Sequence, residues 1–138
     1  MLPKKLFALL VASELDDCIQ ELKAVLKQQQ IEIYSAETCE EVERLLDQTH
    51  PELVFTAKLL NDGTWRDVIH MAENVSVPTN VIVVSHHNDI RFYISAMDYG
   101  AFDFILPPFE TDAIAHAVRM ASESVRRKRV SQAMEAVA

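Results

Sequence analysis

The sequence predicts an α/β fold with a five-stranded parallel sheet, strand order 2-1-3-4-5, and helices on both faces. Short apolar runs alternate with stretches in which apolar residues recur at helical spacing, and this alternation repeats five times before residue 126. The apolar runs are largely continuous, as expected of strands that are buried on both faces. Five strand–helix units joined by right-handed crossovers fit a doubly wound sheet of this order.

Three strand–helix units occupy the first half of the chain. Residues 6–11 form the first apolar run. The apolar positions of the helix after it are Leu15, Cys18, Ile19, Leu22, Val25 and Leu26. Residues 31–34 form a short second strand, and residues 38–41 are a capping box that opens the second helix. Residues 53–56 form the third strand, and a turn at 61–63 leads into the third helix.

Two more units complete the pattern in the second half. Residues 81–84 are the most β-branched stretch of the chain, which is typical of a central strand. A fourth helix is predicted over about 89–99, with Gly100 as its left-handed cap. Residues 102–106 form the fifth strand, and the last helix begins near Thr111.

Charge is unevenly distributed along the 138 residues. The net charge is −8, yet residues 126–129 read RRKR, and the 9 basic and 20 acidic residues before them give that part −11. An acidic body is not expected to bind nucleic acid directly. We predict one domain over residues 4–125 and a basic helix extension, linker or tail over 126–138. The tail is either a charged helix end or a signalling helix that leads to an output domain.

The sequence gives no indication of export or membrane insertion. Lysines and a short apolar stretch open the chain, but charged residues at 14–17 follow where a signal peptide has small residues. No apolar run approaches the ~20 residues of a membrane span. Cys18 and Cys39 match no metal or redox spacing. We expect a cytoplasmic protein with buried free thiols, no cofactor, no bound metal and no membrane partner.

Three segments of the chain resemble the response-regulator receiver domains of two-component signalling. They read PELVFTAKLLNDG (51–63), VIVVSHHND (81–89) and YGAFDFILPPF (99–109), and the resemblance covers about residues 4–125. It implies a flavodoxin-like fold and a place in phosphorelay signalling. In that family an aspartate after the third strand accepts a phosphoryl group and two acids after the first strand hold Mg²⁺. A Ser/Thr and a lysine bind the phosphoryl oxygens.

The resemblance places these functions on residues that mostly lack the chemistry. The acid pair falls on Ala12 and Ser13, and the phosphoacceptor falls on Ala57. The Ser/Thr position is Ser85, and the lysine position is Pro107. A methyl group is no nucleophile, and proline carries neither a charge nor a donor. The residues imply a degenerate pseudo-receiver that lacks the phosphoacceptor aspartate.

We call these five positions, together with the neighbouring Glu14, the vestigial phosphorylation pocket. Glu14 is the one carboxylate expected close to it, and His86 could partly fill it. The resemblance places the family's switch positions on Ser85 and Phe104, both of which keep a suitable side chain. The resemblance also implies a cis peptide bond before Pro108, which an X–Pro bond allows at low cost.

The fourth helix carries more apolar surface than docking on a sheet requires. Its polar residues Arg91, Ser95 and Asp98 occupy a narrow arc, so we expect Phe92 and Tyr99 to be exposed at the edges of an apolar patch. In the family this helix, the fifth strand and the last helix form a common partner face. The resemblance therefore implies a homodimer or a protein partner bound there.

Two functions remain open, and a third is not expected. The favoured one is a non-phosphorylatable signalling module that acts by protein contact or dimerisation in a two-component or transcription-regulation pathway. The alternative is a small-ligand sensor whose emptied pocket is lined by Ser13, Lys58, Ser85 and His86. An enzyme is not expected, because the sequence has no Gly-rich phosphate loop and no nucleophile–base pair.

Overall fold

The computed structural model describes residues 5–137. Its elements in chain order are β1 (Phe7–Val11), α1 (Asp17–Gln28), β2 (Glu32–Ala36), α2 (Cys39–Thr49), β3 (Leu53–Thr56), β4 (Leu59–Leu60), β5 (Gly63–Thr64), α3 (Trp65–Glu73), β6 (Asn80–Val84), α4 (Ile90–Tyr99), β7 (Asp103–Ile105) and α5 (Thr111–Val137). Residues 1–4 and 138 lie outside this range, and they include residue 4, where the predicted domain begins, and residue 138, where the predicted tail ends.

The five-stranded sheet has the order β2-β1-β3-β6-β7, with every neighbouring pair parallel. Because β4 and β5 form a separate antiparallel hairpin, this is the predicted order 2-1-3-4-5 of the sheet strands. The predicted turn at 61–63 is the tip of that hairpin. The order is that of a flavodoxin-like fold.

Apolar side chains from the sheet enter two separate cores. On one face, Leu10 and Phe55 pack with α1 and α5. On the other, Leu9 and Val54 pack with α2, α3 and α4. All four side chains are almost fully buried. The continuous apolar runs in the sequence are therefore strands with helices over both faces, as a parallel sheet requires.

Local capping sets where the helices begin and end. Thr38 caps α2 by accepting a hydrogen bond from the Glu41 N–H, as predicted, and Asp89 caps α4 in the same way through the Phe92 N–H. The helix α4 ends at Gly100, whose φ of +122° favours glycine. A Cβ at this position would lie 2.7 Å from a carboxylate oxygen of Glu73, but that exposed side chain is free to move, so the backbone conformation is what selects glycine.

The last helix continues without a break across the predicted domain boundary. Its first half packs on the sheet, and its second half returns to the opposite end of the strands. There Arg129 donates to the carbonyls of His50, Pro51 and Pro78 at 2.9–3.0 Å. Lys128 donates to the Asn80 side chain at 2.6 Å. The start of the predicted tail is thus anchored to the body, and a boundary near residue 125 stays a prediction.

The backbone at Pro107 and the length of the second strand can also be compared with the sequence predictions. The peptide bond between Pro107 and Pro108 is cis, as predicted. The second strand begins at Glu32 and extends to Ala36, because it pairs along its whole length with β1. Within residues 5–137, no helix is both long and apolar enough for a bilayer span.

Candidate functional site

A cavity of about 170 Å³ opens at the carboxyl edge of the sheet, beside the ends of β3 and β6. Its lining includes Asp16, Ala57, Lys58, Ser85, His86 and Asp89. Loops after three different strands supply these residues, because the carboxyl ends of parallel strands meet at one edge. We call this cavity the edge pocket.

Ala57 occupies the position directly after β3, with its methyl group buried. Its N–H donates to the Val11 carbonyl at 2.9 Å, so β1 holds the backbone in place. Ala12 is held similarly after β1, where its N–H donates to the Ala36 carbonyl at 2.9 Å. Both positions keep an ordered backbone while their side chains offer no oxygen atom to a metal or a phosphoryl group.

The sequence-based assignment of the pocket carboxylate to Glu14 is wrong. The loop after β1 turns outward, and the Glu14 N–H donates to Glu37 Oε1 at 2.8 Å. Ala12, Ser13 and Glu14 line a second cavity of about 220 Å³, on the side of Lys23. Asp16, which caps α1, is the residue of this loop that lines the edge pocket.

The retained hydroxyl of Ser85 is used within its own loop. It donates to the His87 carbonyl at 2.7 Å, and it accepts a longer hydrogen bond from the His87 N–H at 3.4 Å. The side chain is almost fully buried. These contacts give Ser85 a structural role in the turn that carries His86 and His87.

Asp16, Cys18 and His86 form a cluster that the sequence did not indicate. One oxygen of Asp16 lies 2.8 Å from Nε2 of His86. The Cys18 thiol points to the Ser85 carbonyl at 3.9 Å. Burial, followed by the charges of Asp16 and Glu21, raises the pKa of the Cys18 thiol to about 11. No local spacing could have revealed this cluster, since His86 follows the other two residues by about 70 positions.

The switch position Phe104 lies under α4 in an aromatic cluster. Its ring centroid is 5.1 Å from that of Phe92 and 5.5 Å from that of Tyr93, both in edge-on geometry. Phe104 is itself buried. Pro107 lies two residues after the end of β7 and is the first residue of the cis peptide bond. Its side chain is half-buried.

The expected exposure of Phe92 is wrong. The side chain is 6% exposed and lies between Trp65 and Phe104, with the ammonium of Lys58 at 5.0 Å from its ring. The spacing of polar and apolar residues along α4 did not determine how the helix is rotated about its axis. In the structure, the helix turns Phe92 and Ala96 towards the sheet. Tyr99 is exposed as expected.

Four other large side chains of α4 are exposed to solvent. Ile90, Tyr93, Ile94 and Tyr99 are between 44% and 69% exposed. Tyr99 is held in place by an edge-on contact with Trp65 at 5.6 Å. We call these four residues the α4 patch.

Comparison with known proteins gives both relatives and structures of the same fold. The chain is 32% identical over 94 residues to the sensory transduction protein LytR of Staphylococcus haemolyticus, covering 67% of this chain and 36% of that one. It is 31% identical over 103 residues to the nitrogen assimilation regulatory protein NtrX of Azorhizobium caulinodans, covering 70% and 22%. The chain thus spans roughly a third or less of these curated relatives.

Solved structures support the fold at lower sequence identity. The signal receiver domain of a putative Luxo repressor protein from Vibrio parahaemolyticus superposes with a TM-score of 0.77 at 21% identity, over 93% of this chain and 98% of that one. NtrX from Brucella abortus superposes with a TM-score of 0.77 at 24% identity, over 95% and 30%. A family model for the response regulator receiver domain matches residues 9–119, and the chain therefore belongs to that family.

Proposed function

We propose that this chain is a non-phosphorylatable receiver module that acts by protein contact or self-association. It would work without catalysis, on a doubly wound frame in the cytoplasm, within a two-component or transcription-regulation pathway. The contact surface would comprise α4, β7 and α5. The printed names of LytR and NtrX, a sensory transduction protein and a regulatory protein, agree with such a setting.

The observation that carries the proposal is the buried methyl group of Ala57 at the end of β3. Phosphoryl transfer to the protein requires a nucleophile at the reacting position, which alanine cannot provide. It also requires cations that neutralise charge on the transferred oxygens. The family resemblance puts Ala12 at a metal-ligand position and Pro107 at the lysine position, so both sources of positive charge would be missing together.

Contact as the mode of action is supported by the α4 patch. Its members Ile90, Tyr93 and Ile94 expose apolar and aromatic surface on one side of the helix. Tyr99 lies about half a turn around the helix from Ile90 and adds an exposed ring at the end of α4. Clustered exposed apolar side chains mark interaction sites in soluble proteins, and tyrosine is enriched among the residues that dominate binding energy. Phe104 packs directly under Tyr93, so β7 supports this surface from below.

The alternative of a small-ligand sensor finds less support. Pockets for cofactors and drug-sized ligands usually measure about 300–1,000 Å³. The edge pocket encloses about 170 Å³, and it holds charged groups of both signs, including Lys58 and Asp89. Its size suits an ion or a very small molecule better than an organic ligand.

The absence of phosphorylation can be tested directly by intact mass. The purified chain is incubated with acetyl phosphate and Mg²⁺, and a receiver domain that carries the acceptor aspartate is treated in parallel to show that the reagent is active. We expect no change in mass for this chain. A gain of one phosphoryl group that hydroxylamine removes would show an acyl phosphate and would refute the proposal.

A further inference from the structure

We propose that Asp16, Cys18 and His86 form a site for a transition-metal ion, with Zn²⁺ as the ion that fits best. The three potential ligand atoms, a carboxylate oxygen, a thiol sulfur and an imidazole nitrogen, all lie within 4.8 Å of one another. Asp16 caps α1 and Cys18 lies in the first turn of that helix, whereas His86 lies on the loop after β6. The site is distinct from Ala12, Ser13 and Ala57, the positions at which the family resemblance places its magnesium ligands and acceptor.

The ligand types select the metal. Sulfur and nitrogen donors disfavour Mg²⁺, which prefers oxygen ligands in octahedral geometry. One sulfur, one nitrogen and one oxygen suit Zn²⁺, which binds them at about 2.3, 2.0–2.1 and 2.0–2.2 Å in a tetrahedron. Three protein ligands would leave the fourth position open to water. Bond lengths of this size place tetrahedral ligand atoms roughly 3.3–3.7 Å apart.

The observed geometry is close to that requirement. Asp16 and His86 are already in contact at 2.8 Å, so their atoms must separate by about half an ångström to admit a metal. The Cys18 sulfur lies within 4.8 Å of the other two atoms, so a small shift at most brings it to a tetrahedral distance. The His86 side chain is 58% exposed and can turn without disturbing the core, whereas the Asp16 side chain is largely buried and provides a fixed anchor.

The local charge favours a cation. Burial is the main cause of the raised pKa of the Cys18 thiol, and the nearby carboxylates of Asp16 and Glu21 raise it further. Asp89 lies on the other side of the same pocket. Lys58 is the opposing positive group of the lining, and its ammonium lies over the Phe92 ring. An ion bound here would neutralise the carboxylates and would hold the sulfur as thiolate.

A bound metal would join the loop after β1 to the loop after β6. In the structure, Asp16 contacts His86 at 2.8 Å and the Cys18 thiol approaches the Ser85 carbonyl at 3.9 Å, so these segments are already close. Because the ligands are assembled only in the folded chain, binding would stabilise the native state. Ion binding at this cluster does not depend on whether the chain self-associates or resists phosphorylation.

The first experiment measures stoichiometry and ligand identity in the reduced, metal-free chain. Calorimetric titration with ZnCl₂ is expected to give one ion per chain, with a dissociation constant in the micromolar range or tighter. Titration with CoCl₂ is expected to give visible bands of tetrahedral Co²⁺ and a thiolate-to-cobalt charge-transfer band. Absence of binding at one ion per chain would overturn the proposal.

Matched variants then identify the ligands. Cys18→Ser should abolish the charge-transfer band, while Cys39→Ser, which removes the other thiol, should keep it. His86→Ala should weaken Zn²⁺ binding by at least about tenfold, while His87→Ala, at the adjacent exposed residue, should leave it within about twofold. Asp16→Asn keeps a good helix cap and should also weaken binding.

His86 is an exposed loop residue, so its variant is expected to fold even if a change at Cys18 does not. Circular dichroism of each variant checks the fold before titration. A charge-transfer band that survives Cys18→Ser, or equal losses from His86→Ala and His87→Ala, would show that this cluster is not the site.

Discussion

Arg129 reaches back from α5 to the loop before β6, where its Nε donates to the carbonyl of Pro78 at 2.9 Å. The same guanidinium donates to two carbonyls at the end of α2 and lies 3.8 Å from the buried carboxylate of Glu52. One side chain thus joins the last helix, the loop before β3 and the loop before β6. This arrangement holds the basic segment 126–129 against the body.

Arg129→Ala should lower the free energy of unfolding by about 2 kcal/mol, because several hydrogen bonds to a charged donor are lost together. Urea denaturation followed by circular dichroism measures the change. Arg126→Ala, at an exposed position one turn earlier, is the control and should stay within about 0.5 kcal/mol of the parent. Equal, small effects of the two changes would show that α5 is not anchored through Arg129.

Phe92→Ala should destabilise the fold rather than disrupt an interface. The ring fills space between Trp65 and Phe104, and its removal leaves a cavity that costs about 3 kcal/mol. Thermal and urea unfolding of Phe92→Ala and Tyr93→Ala give the comparison. Tyr93 is largely solvent-facing, so its truncation should cost clearly less. The opposite ranking would contradict the packing of α4.

The α4 patch should support self-association. Ile94→Lys places a charge beside Ile90 and Tyr93, and Tyr99→Ala removes an exposed aromatic ring at the end of α4, so both should shift the chain towards monomer. Sedimentation velocity over a concentration series measures this. Leu15→Lys is a matched control, since Leu15 is an exposed apolar residue in the loop after β1. A parent chain that is monomeric at every concentration would contradict this prediction.

Asp62 should contribute to stability against acid. Its carboxylate accepts hydrogen bonds from the backbone N–H groups of Cys39, at 2.7 Å, and Glu40, at 3.4 Å. These bonds, chiefly that of Cys39, lower the pKa of Asp62 below its ordinary value. The folded state therefore gains stability from the carboxylate above the unfolded pKa of about 3.9, and that gain is lost as the pH falls through the lower folded value.

Asp62→Asn should consequently lose less Tm than the parent on acidification from about pH 6 to about pH 2. Thermal unfolding at a series of pH values tests this. Asp47→Asn, which removes an exposed carboxylate inside α2, serves as the control and should follow the parent curve. Parallel curves for all three proteins would show that the carboxylate of Asp62 does not accept the hydrogen bonds of Cys39 and Glu40 in solution.

The sequence by itself determined the sheet and the main helix boundaries. Continuous apolar runs such as 53–56 and 81–84 predicted strands buried on both faces, and their alternation with helices predicted the strand order. Thr38 and Gly100 marked helix ends correctly because capping depends on a few neighbouring backbone groups. These features are local, so a single sequence is enough to predict them.

The tertiary structure alone decided how side chains from distant segments meet. Apolar spacing placed Phe92 on a broad apolar arc, but only packing against Trp65 and Phe104 set the rotation that buries it. Asp16 and His86 belong to different loops, and they meet because β1, β3 and β6 end at one edge of the sheet. Contacts of this kind depend on the positions of whole elements, which the spacing of residues along one segment does not encode.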